Sequence, residues 1–177
     1  WRHWKKPDGT EVDQLKEVIE KIKSNPYDRR LIINAWNPGE IDQMALPPCH
    51  MIFQFFVSDK KLSLHMYQRS CDMFLGVPFN IASYSLLLHI VARITNLEPD
   101  ELIITLGDAH IVHNHFDAVK EQMSRNPFPL PTLWLNPSIK TLDDLNTAQI
   151  NEPNDIFSIV KLENYQFHPT IKAEMGV

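Results

Sequence analysis

The residues of this chain best suited to chemistry lie at Pro47-Pro48-Cys49-His50. Consecutive prolines stiffen the backbone and remove two amide donors, so Cys49 is expected at a rigid turn at the mouth of a strand, Met51 to Val57. A cysteine in such a place is by default a small inert hydrophobe. The next segment argues otherwise. A polar turn, Ser58-Asp59-Lys60-Lys61, leads into a second strand from Leu62 that ends in Tyr67-Gln68-Arg69-Ser70-Cys71-Asp72. The hairpin so formed returns a guanidinium and a hydroxyl towards the thiol. A cation beside a thiol lowers its pKa and raises the fraction of thiolate, the nucleophilic form.

Other polar groups admit a functional reading beside a plain one. Asp28-Arg29-Arg30 opens a strand read over Leu31 to Trp36. Paired arginines are commonly just solvated surface. Yet adjacent guanidinium groups repel each other unless an anion lies between them, and a phosphate has the right charge and oxygen geometry. Asn80 heads a long helix, where the plain reading is an N-cap. His110, His113 and His115 invite a zinc reading that the pattern does not support: residues two apart on a helix face different ways, and no Cys or Asp cluster completes a tetrahedral set.

The elements that must position these groups follow from punctuation and periodicity. Trp1 to Trp4 reads as the end of one element, turned by Pro7-Asp8-Gly9. From Asp13, an N-cap, Leu15, Val18, Ile19 and Ile22 form the stripe of an amphipathic helix that stops near Asn25-Pro26. A helical turn through Ile41 to Ala45 leads to the cysteine. Beyond Asp72, an apolar loop punctuated by Gly76 and Pro78 opens the long helix, Ile81 to about Asn96, apolar nearly all round and so expected to be buried. Leu102 to Leu106 reads as a buried strand. Gly107-Asp108-Ala109-His110 reads as the turn into a helix through Val112, Phe116, Val119 and Met123, stopped by Asn126-Pro127. Thr132 to Leu135 and Ile156 to Leu162 are short strands, and the polar segment Thr141 to Asp155 is a surface insertion. The tail from Tyr165 to Val177 carries no secondary-structure signal.

At 177 residues, 44% hydrophobic and 22% charged, without repeats or low-complexity tracts, the chain is expected to form one α+β domain over residues 1–177 with a real core. A net charge of −5 excludes a general nucleic-acid or membrane surface, so any anion must be met by a local basic cluster. Two cysteines, no signal peptide and no apolar run long enough for a bilayer point to a reducing, cytoplasmic compartment without disulfides. Trp1 stands where an initiator methionine would be, which points to a segment upstream.

Leu46-Pro47-Pro48-Cys49-His50, Tyr67-Gln68-Arg69-Ser70 with Asp72, Gly76-Val77-Pro78-Phe79-Asn80-Ile81-Ala82-Ser83-Tyr84, Gly107-Asp108-Ala109-His110 and His168-Pro169-Thr170-Ile171-Lys172, in that order along essentially the whole chain, resemble the thymidylate synthase family. The resemblance implies an α+β subunit with a large mixed β-sheet flanked by helices, packed sheet to sheet in a homodimer. It implies conversion of deoxyuridine monophosphate (dUMP) to thymidylate (dTMP), with 5,10-methylenetetrahydrofolate as one-carbon donor and reductant and no metal. Carbon 5 of uracil is a poor nucleophile; adding a thiolate to carbon 6 makes an enolate that can attack the one-carbon unit. By the resemblance Cys49 is that thiolate. Arg69 lies beside it and holds the nucleotide phosphate, together with Ser70 and with Arg29 and Arg30 contributed from the opposite subunit. Asn80 reads the base edge, donating to the 4-oxo group and accepting from the ring imide hydrogen, a pattern that fits uracil where an Asp would fit cytosine. His110 bonds the sugar hydroxyl, Gln68 and Tyr67 support the nucleotide, and Asp72 lies between the nucleotide and the folate, bonding the pterin with Gly76 nearby. Val177 closes over both ligands and excludes water.

The chain departs from the family at two points. Val112 stands two positions beyond His110, where the family usually carries a tyrosine that shares the sugar hydroxyl, which implies weaker nucleotide binding. The family's N-terminal segment, with a phosphate-gripping arginine loop, a catalytic glutamate and tryptophans lining the folate site, is not represented, so this stretch by itself is expected to lack acid/base equipment. Two alternatives follow. One is a dUMP hydroxymethylase of the same fold, in which water instead of hydride quenches the intermediate. The other is a catalytically inactive dimerisation or ligand-binding fragment, whose nucleic-acid partner, given the acidic charge, would be limited to its own message. Asn80 decides the base and not the last step.

Overall fold

A short hairpin leads the chain: β1, Trp4–Lys5, pairs antiparallel with β2, Glu11–Val12, around the Pro7-Asp8-Gly9 turn, where Gly9 takes the left-handed φ of +83°. Asp13 then caps α1, Gln14–Ser24, its side chain accepting from Lys16 N, and Leu15, Val18, Ile19 and Ile22 are buried as the spacing predicts. The computed structural model describes residues 1–148 and 150–175, and the chain gathers into two compact units, 1–110 and 111–177, taken here in turn.

The first unit is built on a four-stranded mixed sheet in the order β3-β4-β5-β6: β3 Ile32–Asn34, β4 His50–Ser58, β5 Lys61–Asp72 and β6 Glu98–His110. β3, β4 and β5 pair antiparallel, and β6 runs parallel to β5 after the crossover through α2, Gly76–Thr95. The β4–β5 hairpin closes on Asp59 and Lys60, at φ 48° and 63°, the doubly left-handed two-residue turn that matches strand twist. Alternation sorts the sheet into two faces. Ile33, Phe53, Phe55, Val57, Leu62, Leu64 and Met66 are buried in the core with α1 and α2, while Ile32, Ile52, Phe56, Tyr67 and Ile103 point the other way and are exposed. This mixed sheet with its helices is the α+β architecture expected from the sequence.

Several expectations need correction. β3 is shorter than the strand read over Leu31 to Trp36. α2 begins at Gly76, not Ile81, because Pro78 is tolerated in a first turn and Asp72 Oδ1 accepts from Phe74 N and Leu75 N just ahead of it. Asn80 therefore lies inside the helix and is not its N-cap. Only one stripe of α2 is buried, with Tyr84, Leu88, Val91 and Ala92, instead of the whole circumference. By length and composition α2 is also apolar enough to cross a membrane, contrary to the expectation that no run is, although that stripe packs on the sheet as in a core helix. β6 continues through Gly107-Asp108-Ala109-His110, where a turn was expected. The glycine serves close approach: a Cβ there would lie 3.0 Å from both Arg69 O and Tyr67 Oη.

In the second unit a 3₁₀ turn, His113–His115, leads into α3, Phe116–Ser124. β7, Thr132–Leu135, pairs antiparallel with β8, Val160–Glu163. The strand expected from Ile156 is instead a 3₁₀ helix, Pro153–Ser158, before β8, and the expected insertion contains α4, Leu142–Asn146, with a reciprocal capping box between Thr141 and Asp144. The tail has no secondary structure as far as Met175. It is fastened to the flanks of α3 by Arg125 Nη1 to Pro169 O (2.6 Å), His168 Nε2 with Asn126 O (2.8 Å) and His115 Nε2 with Glu174 O (2.6 Å).

Candidate active site

Cys49 sits one residue ahead of β4, half-buried, where the β4–β5 ladder shifts register between His50 and Ile52. Its carbonyl accepts from Arg69 N at 2.8 Å, so strand pairing continues up to the cysteine. Prolines keep their carbonyl acceptors while lacking N–H donors, and Arg69 uses both: Nε donates to Pro48 O at 3.1 Å and Nη2 to Pro47 O at 2.8 Å. The guanidinium also lies over Trp36, 5.6 Å from the ring centroid. Among the described residues no hydrogen bond joins Arg69 to the thiol itself; Arg69 fixes the backbone that delivers it. The other cysteine is different in kind. Cys71 is fully buried, its thiol donates to Gln68 O at 3.3 Å, and burial pushes its pKa up, so it stays a protonated packing group.

Two bonds fasten α2 to the hairpin beside Cys49. His50 and Gln68 are cross-strand partners, and Asn80 and Tyr84 are one helical turn apart. Gln68 Nε2 donates to Asn80 Oδ1 at 3.0 Å and to Ser70 O at 3.0 Å, and Tyr84 Oη meets His50 Nδ1 at 2.7 Å. The first bond fixes the Asn80 amide, oxygen towards Gln68, which leaves its two N–H donors for a ligand. Gln68, 2% exposed, stands behind Asn80 as its support, and Gln68 Oε1 is a buried acceptor without a partner among the described residues. Burial lowers the pKa of His50 and raises that of Tyr84, so the pair is neutral around pH 7.

The remaining sequence candidates fall into two sets. Ser70, Asp72 and His110 converge at the ends of β5 and β6: Ser70 pairs with Asp108, Asp72 with His110, and Met73 N donates to His110 O at 2.9 Å. His110 Nδ1 lies 3.2 Å from Asp108 O and 3.5 Å from Asp108 Oδ1. Gly76 begins α2 between them, where a Cβ would fill the space 3.6 Å from Asp72 Cβ and 3.9 Å from Asn80 Oδ1. Arg29 and Arg30 are not brought to this group. They precede β3 at the far end of β4, where Gln54 Nε2 donates to Arg29 O and Phe55 N to Leu31 O. Six strand residues from Cys49 is about 20 Å. Arg30 pairs with Asp28, and both arginines are exposed. Val177 lies outside the described residues. Among those residues no group of three His, Cys, Asp or Glu side chains could hold a metal, His110, His113 and His115 included.

His50 and Tyr84 form a polar pair beside the candidate site to which the sequence alone gave no separate role. A histidine directly after the candidate nucleophile was the available signal; its tyrosine partner, 34 positions away, left none.

A half-buried cysteine on a proline-stiffened turn, an arginine clamping that turn and an asparagine amide fixed by a buried glutamine thus lie on adjoining elements. A family model described as thymidylate synthase matches residues 1–177, the whole chain. That family is one of transferases that methylate dUMP with methylenetetrahydrofolate as co-substrate, and this chain belongs to the thymidylate synthase family.

Proposed function

We propose that Cys49 attacks carbon 6 of dUMP and that the product is dTMP. The observation that carries this reading is the Gln68–Asn80 bond, which orients one amide beside the accessible cysteine. With its oxygen turned to Gln68, Asn80 keeps two N–H donors and a second lone pair, enough to donate to a 4-oxo group and accept from the neighbouring imide hydrogen. Ser70 and Arg69 stand at the phosphate side, His110 at the sugar, and Tyr67 behind them.

The residues around Gly76 fit a flat folate ring. The missing Cβ leaves contact space between Asp72 and Asn80, and Phe79, on the same turn of α2, and Leu46, just ahead of Pro47, are exposed apolar groups at 77% and 76%. Bound there, the folate supplies the one-carbon unit and the hydride. Asp72 orients it through a hydrogen bond to its ring.

We further propose a homodimer, with Arg29 and Arg30 acting in the opposite subunit's site. The exposed sheet face carrying Ile32, Ile52, Phe56, Tyr67 and Ile103 is the apolar area a second copy would cover. The separation of about 20 Å along β4 is too long for one nucleotide to touch Cys49 and the arginines of the same chain. The two free thiols fit a reducing cytoplasm.

Product analysis tests the chemistry. With dUMP and methylenetetrahydrofolate the protein should release the 5-methyl nucleotide together with stoichiometric dihydrofolate. A 5-hydroxymethyl product with no dihydrofolate would establish the hydroxymethylase, and a protein that binds both ligands without turnover would establish a binding module.

A further inference from the structure

Trp36, to which the proposed chemistry gives no role, lies on a line of contacts that runs from α1 to the turn carrying Cys49. Gln14, the first residue of α1, is joined to Asn34 by a reciprocal pair: Gln14 Nε2 donates to Asn34 O at 3.0 Å and Asn34 N to Gln14 Oε1 at 2.9 Å. Asn34 Oδ1 accepts from Trp36 N at 3.0 Å, and between the two residues Ala35 N donates to Met51 O at 2.7 Å. The backbone of Trp36 is thereby held against the strand that follows Cys49. Its indole, half-buried, lies against the Arg69 guanidinium, with Cζ 5.6 Å from the ring centroid. A guanidinium donates its hydrogens in its own plane and none through its faces, so an aromatic face restrains it without competing for donors. The edge stays available for the Pro47 and Pro48 carbonyls, reached by Nη2 at 2.8 Å and Nε at 3.1 Å.

We propose that Trp36 is a positioning residue: its indole, set by Asn34, holds the Arg69 guanidinium against the Pro47 and Pro48 carbonyls and so fixes the turn that presents Cys49. Two consecutive prolines cannot tie that turn down through amides they do not have. It is held from outside, by the Arg69 side chain and by Arg69 N, which donates to Cys49 O at 2.8 Å. Arginine has a long stem with much rotamer freedom, and a guanidinium with nothing on its face can trade two carbonyls for water. The indole removes part of that freedom. The assignment concerns the turn and holds whatever ring Cys49 attacks. Its consequence for catalysis rests on the proposed function, in which a thiol displaced by a fraction of an ångström reacts more slowly.

Hydrogen exchange at single amides tests this without turnover. The Arg69 N–H, bonded to Cys49 O, reports on the turn, and the Phe55 N–H, bonded to Leu31 O, reports on the far end of β4. In Trp36→Leu the first amide should exchange on the order of tenfold faster with the second unchanged, while Trp36→Phe, which keeps an aromatic face, should stay within about threefold of wild type. With Arg69→Leu in place, adding Trp36→Leu should bring no further acceleration at position 69, because the indole acts through the guanidinium. Asn34→Ala, which leaves the indole whole and withdraws only the bond to Trp36 N, should accelerate the same amide about threefold. In Trp36→Leu kcat for dTMP formation should fall about fivefold and in Trp36→Phe largely recover. Acceleration that falls equally on Phe55, or that is as large with Arg69→Leu in place as without it, would make the indole a packing group and overturn the proposal. An unchanged rate in Asn34→Ala would overturn it even if Trp36→Leu failed to fold. A wild type that forms no dTMP would end the proposed function instead, with the exchange rates still deciding the role of Trp36.

Discussion

At the Cys49 end of β4 the polar groups are fastened to one another, whereas at the Phe55 end they stand open. Arg69 is spent on the Pro47 and Pro48 carbonyls, Gln68 on Asn80, and Tyr84 on His50. Arg29 and Arg30 are exposed, with Asp28 as the ion partner of Arg30. Fastened groups hold a geometry within fractions of an ångström, which bond formation requires. Open cations cost nothing in water and gain their interaction when an anion arrives. The contrast fits the proposal of chemistry at one end of the strand and phosphate capture at the other, with the arginines serving a second copy's site.

The largest effect that could break this comparison comes from the arginines. Replacing both Arg29 and Arg30 by Ala should cut kcat/KM for dUMP on the order of a hundredfold or more, since each charge-assisted bond contributes about 1.5–3 kcal/mol. Refolding that protein together with Cys49→Ser should restore about a quarter of wild-type activity, because half the dimers are mixed and one of their two sites is intact. Recovery that stays at the parental level after verified subunit exchange would put the arginines in their own subunit's site.

A smaller effect sharpens the fastened end. Asn80→Asp should swing preference from dUMP towards deoxycytidine monophosphate on the order of ten- to hundredfold, as a donor pair becomes an acceptor against a base edge worth about 1–3 kcal/mol. Equal changes in kcat/KM for both nucleotides would deny Asn80 the role of reader. The smallest effect concerns the thiol beside the site that takes no part. Cys71→Ala should cost about 1–2 kcal/mol of stability in denaturant unfolding, from a lost buried contact and the bond to Gln68 O, with nucleotide capture unchanged.

The hairpin, α1 and the stiff turn that carries Cys49 were legible in the sequence because each is announced locally. Prolines stiffen one turn, Asp59-Lys60 closes another, and the Asp13 cap precedes a regular stripe. What the sequence did not yield depends on contacts between distant residues. Gly107 looks like a turn residue until Arg69 O and Tyr67 Oη are seen to crowd it. Asn80 looks like a cap until the helix is seen to begin at Gly76, with Asp72 accepting from the two amides just ahead of it. The outward face of α2 is as apolar in sequence as the inward one, and periodicity alone could not tell which is covered. The bond between His50 and Tyr84 joins residues 34 positions apart, which no local pattern announces.

The most direct test of the account is capture of 5-fluoro-dUMP in the presence of methylenetetrahydrofolate. Fluorine cannot leave carbon 5 as a cation, so the covalent complex persists and can be weighed and mapped. The account predicts one adduct per active site, carried on the peptide that contains Cys49, absent from Cys49→Ser and retained in Cys71→Ala. An adduct that survives in Cys49→Ser, or that maps to the Cys71 peptide, would contradict it.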